Sequence, residues 1–178
     1  MTGILRFIGI LNAAIWLGGS VYFTFVAGQV PFSVQMKELF GAAYNPYFTG
    51  AIAQIGVAKF FSFQLFCAIV AVVHLSAEWL YQGRRNRKFL VWVLGIMLAV
   101  TLLGDYGLQP KMRTLFRAKY AVNYTPAQRE VAARSFALWH GLSMTVNLLM
   151  LGGLVVYLVQ MSRPPETARF VSAGQFRS

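Results

Sequence analysis

FLVWVLGIMLAVTLLGDYGL, residues 89–108, carries a single charged side chain, Asp105. A helix needs about 20 mainly apolar residues, at 1.5 Å of rise each, to cross the ~30 Å hydrocarbon core of a bilayer. This stretch meets that requirement. It lacks the short alternating pattern of a transmembrane β-strand. Working outward, residues 60–81 and 135–161 are apolar runs of similar length, and residues 7–30 hold no charged side chain at all. The first run is too long for the 7–15-residue core of a signal peptide and reads as a retained helix. The chain therefore predicts an all-α fold: an integral membrane four-helix bundle with spans at about 7–30, 60–81, 89–108 and 135–161. Residues 1–161 form one domain, and residues 162–178, with Pro164-Pro165, read as an extended or disordered tail.

Composition agrees. Apolar residues make up 57% of the 178 and charged residues 12%, about half the usual charged share. Such a chain cannot clothe a water-facing surface and needs lipid to cover it. The net charge is +11. Its basic residues lie between and beyond the apolar runs, where anionic headgroups attract them. No basic stripe shares a face with a readout motif, so the charge does not point to nucleic acid. The single cysteine, Cys67, rules out an internal disulfide or a cysteine metal cluster.

The connections have their own signals. Pro31 ends the first span. Ser33 to Phe40, then Gly41, reads as a short interfacial helix with a glycine cap. Arg84-Arg85-Asn86-Arg87-Lys88 makes a tight basic hairpin. A long connection follows the third span: Pro110 kinks or ends that helix, Lys111 to Tyr120 keeps helical character, and Thr125-Pro126-Ala127-Gln128 reads as a capping box. Four crossings put eight basic residues on each side of the membrane, so the positive-inside rule does not choose between them. The dense hairpin favours cytoplasmic termini, in a bacterial inner membrane.

Ionisable groups inside spans are costly and each needs an account. Lys59 and Asp105 fall at span ends on one side, which predicts an ion pair. Glu78 reads as reaching back toward the basic hairpin. His74 is ten residues before Arg84, about 15 Å along a helix, which predicts a position near the mid-plane. His140 enters from the other side, on the fourth span. Two histidines on different helices are the minimum for bis-histidine ligation of haem b; the plainer reading is hydrogen bonding within the bundle. His140, Ser143 and Asn147 form one polar stripe, read as interhelical glue or as a small polar pocket, with Asn12, Thr24, Gln64 or Thr101 as facing partners. Gly18-Gly19 and Gly152-Gly153 allow close helix contact or room for a pigment or lipid tail. No phosphate-binding glycine loop, catalytic triad or HExxH motif occurs.

Phe136-Ala137-Leu138-Trp139-His140-Gly141-Leu142-Ser143-Met144, with Asn147-Leu148, resembles the last helix of the transmembrane protein 205-like family. Ala14-Ile15-Trp16-Leu17-Gly18-Gly19 is similar to that family's first helix, and Leu108-Gln109-Pro110-Lys111-Met112 to the segment after its third. The resemblance implies four helices in a membrane and little about mechanism. The Trp16–Gly19 helix is also similar to the first helix of copper-resistance D-type membrane proteins and of bacterial haem-pathway oxidases. Those usually carry a histidine there; this chain has Asn12 in that region. The expected function is thus a non-catalytic accessory or scaffolding subunit beside other membrane proteins, in contact with lipid or pigment. A haem b redox protein using His74 and His140 is the alternative, and a small oligomeric transporter a second one.

Overall fold

The computed structural model describes residues 2–82 and 88–163. Its main helices are α1 (Thr2–Tyr22), α2 (Val34–Phe40), α3 (Pro46–Gln82), α4 (Lys88–Leu103), α5 (Gln109–Lys119) and α6 (Pro126–Ser162). Four helical runs are long and apolar enough to cross a membrane: Gly3–Ala43, Pro46–Tyr81, Lys88–Lys119 and Pro126–Ser162. The chain is an integral membrane protein. The basic residues Arg84 to Arg87 and the tail from Pro164 lie outside the described residues.

Local chemistry sets the boundaries. α1 widens into a π turn at Phe23–Ala27, and Pro31 sits in the 3-10 turn Val30–Phe32. The Ser33 hydroxyl accepts from Met36 N–H at 3.2 Å to start α2. Gly41, at φ +50°, ends it in the left-handed region that favours glycine. Pro110 does not end its helix. Having no N–H to give, it follows the π turn Gly104–Leu108, whose wider register absorbs the missing bond, and the rod continues to Lys119. α6 opens on a complete capping box: Thr125 N–H donates to Gln128 Oε1 at 2.9 Å, and Gln128 N–H donates to Thr125 Oγ1 at 3.3 Å.

The four long helices run up, down, up and down. Asn12 Nδ2 donates to the Cys67 carbonyl at 3.0 Å, fixing the α1–α3 register. Arg6 donates to the Ser162 carbonyl at 2.7 Å, and the Trp16 and Tyr157 rings meet edge to face at 6.3 Å, fixing α1 against α6. Thr101 Oγ1 reaches Gln64 Oε1 at 3.4 Å between α4 and α3. The core combines small residues (Ala13, Ala68, Ala71) with Trp16, Leu154 and Tyr157. In lipid, small residues matter because close backbone approach, not exclusion of water, holds helices together. Phe66, Val73, Trp92 and Leu149 face outward, as lipid-contacting groups should.

Of each predicted glycine pair, one member packs and the other does not. A Cβ on Gly19 would meet the Phe63 ring at 2.5 Å, and one on Gly153 would touch Met97 at 3.6 Å. Gly18 and Gly152 have nothing within 4 Å.

The bundle is taller than a bilayer. α3 and α6 have 37 residues each, about 55 Å of helix against a ~30 Å core. Their apolar runs, residues 60–81 and 135–161, lie in their C-terminal parts, so their N-terminal ends extend beyond the spans on one side, where α5 lies against α6 and α2 joins the same end. This projecting lobe holds the site described next.

Candidate functional site

Two i, i+4 aromatic pairs assemble the lobe. Phe116 and Tyr120 lie on one face of α5, Phe136 and His140 on one face of α6. Phe116 is buried, with its ring 5.8 Å from Phe136 and 5.2 Å from Tyr120. Tyr47 of α3 stacks on Phe116 at 5.7 Å, and Phe136 stacks on His140 at 5.9 Å with ring planes 7° apart. Gly50 makes room for this set: a Cβ there would sit 2.5 Å from the Phe116 ring.

Beside the aromatic wall is a cavity of about 500 Å³. The π turn of α1, the start of α3, α5 and the first half of α6 enclose it, and its lining is mainly apolar. Polar groups interrupt that lining at Thr24, Gln54, Lys119, His140 and Asn147. Asn147 Nδ2 donates to Thr24 Oγ1 at 2.8 Å, and that hydroxyl donates to the Ser20 carbonyl at 2.7 Å. The chain Asn147–Thr24–Ser20 closes the inner end of the cavity and ties α6 to α1. Volume and lining match the range of small-molecule pockets, about 300–1,000 Å³ and mostly apolar with a few placed polar groups.

The sequence-predicted residues separate into different places. Of the stripe on α6, His140 and Asn147 reach the cavity; Ser143 is half-buried and is not part of its lining. Asn12 bonds to α3 instead, and lies twelve residues before Thr24, the partner of Asn147. Lys59 is exposed and forms no ion pair with Asp105. Asp105 is met instead by Gln109, one turn further on. With its amide oriented to satisfy both ends, Gln109 donates to Asp105 Oδ1 and accepts from Ala58 N–H, each at 3.2 Å. That clasp joins the π turn to α3. Neither Lys59 nor Asp105 lines the cavity.

The two histidines do not share a site. His74 is buried, with Nε2 2.7 Å from the Leu5 carbonyl. Since a carbonyl only accepts, Nε2 carries the proton. Gly9 and Met161 crowd the same ring. His74 is thus level with the first turns of α1 and the last turn of α6. Met161 and His140 are 21 residues apart on α6, about 31 Å along the helix axis. One haem iron cannot bind both imidazoles across that distance. Among the described residues no group of three His, Cys, Asp or Glu side chains is placed to hold a metal ion.

Sequence reasoning missed Lys119, Gln54 and the aromatic wall. The two i, i+4 aromatic pairs were the available signal, but nothing in their spacing shows that they face each other.

Residues 11–121 match a family described as a domain of unknown function, DUF4149. That span holds most of α1 and all of α2 to α5, and stops before α6. No curated protein and no solved structure matches the chain.

Proposed function

This chain belongs to the DUF4149 family, and from that premise we propose that it is a non-catalytic membrane protein that holds a small, mainly apolar molecule in the cavity of its projecting lobe. The observation that carries this reading is the cavity itself: about 500 Å³, walled by aromatic rings and interrupted by a few polar groups. A protein built only as a scaffold has no need to keep that volume open, because unfilled space forfeits packing contacts. Gly50 supports the reading, since its missing side chain is what lets Phe116 stand where it does.

The finer kinship with the transmembrane protein 205-like family, carried by Phe136 to Met144 in α6, is part of this proposal. So is an accessory place beside other membrane subunits. Native mass spectrometry of the full chain in mild detergent tests both. The wild type should retain a small-molecule mass, and Ala53→Phe, which fills the cavity from its lining, should lose at least about tenfold of that occupancy. Partner subunits should appear in the same spectra. A wild type that carries no such mass, or a filled variant that carries as much, would sink the binding role; a chain that always flies alone would remove the accessory one.

We place the chain in a bacterial inner membrane with both termini cytoplasmic, which puts the cavity on the outer face. The support is the basic density of residues 84–88. A reporter fused to the C-terminus that is active only outside the cytoplasm would reverse this orientation.

A further inference from the structure

The ligand's chemistry is written in the charge of the cavity wall, and this step rests on the binding role proposed above. The chain has five acidic residues. Four are described, Glu38, Glu78, Asp105 and Glu130, and none lines the cavity. Glu130 is held by Arg134 at 2.6 Å, and Asp105 by Gln109. Lys119 does line the cavity, half-buried, with Nζ 5.1 Å from the Tyr120 ring centroid. Among the described residues no carboxylate lies within salt-bridge reach of it. Lys111, Arg113 and Arg117 on the same helix add positive charge and give it no partner.

Two amides of the wall have donor capacity to spare. Asn147 presents an amide NH2 that uses one hydrogen on Thr24. Gln54, in the wall, has its Nε2 buried with no hydrogen-bond partner. A buried donor left unmet is costly, and a half-buried ammonium without a counter-charge favours an anion beside it. A ligand bearing an anionic, acceptor-only group at Lys119 supplies the counter-charge that the wall lacks.

Position gives the ligand its shape. Lys119 is one turn outward from Phe116, which meets Phe136. Asn147 is eleven residues inward from Phe136, about 16 Å along α6. The cation is therefore at the outer end of an elongated apolar channel. A volume of about 500 Å³ is in the small-molecule range and suits one acyl chain lying along that channel.

We infer that the cavity takes a single-chain amphiphile with a carboxylate or phosphate head, its head at Lys119 and its chain running inward past Phe116, Phe136 and His140 toward Asn147. Diazirine analogues of palmitate and of hexadecanol, offered to the full chain in phosphatidylcholine nanodiscs, test this, with crosslinks mapped to the Phe116, Phe136 and Met144 peptides. Palmitate should label at least about tenfold more than the alcohol, the gain expected of one charge-assisted contact. Lys119→Gln should bring palmitate down to the alcohol's level and leave the alcohol unchanged, and Lys119→Arg should restore the difference. Equal labelling of the wild type by both probes would overturn the anionic assignment and leave the cavity's binding role standing. Labelling by neither would overturn both. Loss of palmitate labelling when phosphatidylglycerol replaces phosphatidylcholine would assign the site to a two-chained bilayer lipid, against the single-chain assignment.

Discussion

Trp16→Ala is expected to destabilise the bundle by about 3 kcal/mol, within the roughly 3–5 kcal/mol range for deleting a buried indole. Trp16 is 0% exposed at the centre of the core, between Ala13 and Tyr157, against which its ring sits edge to face. The lower end of the range applies because lipid is as apolar as the core, so the loss is packing and dispersion without a water-transfer contribution. Trp92, 73% exposed, is the control: Trp92→Ala should stay within about 0.5 kcal/mol of wild type. The chain supplies its own probe. Cys67 is the single thiol and is buried, so a thiol-reactive fluorogenic dye reports unfolding in a temperature ramp. Matching midpoints for the two variants would show that Trp16 does not sit in a close-packed core.

Gly9→Val should be at least as damaging. A Cβ on Gly9 would lie 2.5 Å from His74 Cε1 and 2.7 Å from the Met161 methyl; the methyl can swing aside, but the His74 ring must give way and α3 is wedged from α1. Overpacking of this kind costs about 1–3 kcal/mol. The displaced His74 also loses its 2.7 Å bond to the Leu5 carbonyl, leaving a buried polar ring unmet at a further ~1–3 kcal/mol. Gly18→Ala is the matched control. Gly18 has no neighbour within 4 Å, and alanine in place of a mid-helix glycine gains up to about 1 kcal/mol of helix propensity. If Gly9→Val and Gly18→Ala melt alike in the same dye assay, α1 does not approach α3 and α6 as described.

These controls show where reading by spacing stops. Gly18 and Gly19 are adjacent and chemically identical, yet only Gly19 meets a ring across the interface. Trp16 and Trp92 both fall inside apolar runs, and one is core while the other is lipid-facing. In a water-soluble helix the polar face marks the outside. In a membrane helix both faces are apolar, so periodicity carries little information about which side packs. The polar stripe on α6 was legible because polar groups in lipid are rare. Its division was not: Asn147 and His140 reach the cavity, and Ser143 does not.

The sequence by itself determined the four long apolar helices of a membrane protein, the short helix with its Ser33 and Gly41 ends, and the capping box at Thr125. All of these follow from local rules: the length of an apolar run, or a side chain bonding to backbone within a few residues. The tertiary structure alone decided the rest. It carried the helix through Pro110 on a π turn, gave Asp105 to Gln109 in place of Lys59, and set His74 and His140 about 31 Å apart along the bundle. It also brought Lys119, Phe116, Gly50 and Asn147 around one cavity. Each of those outcomes depends on how far one helix slides along another. That offset is fixed by contacts such as Asn12 to Cys67 and Trp16 to Tyr157, between residues distant in the chain, and no local pattern encodes it.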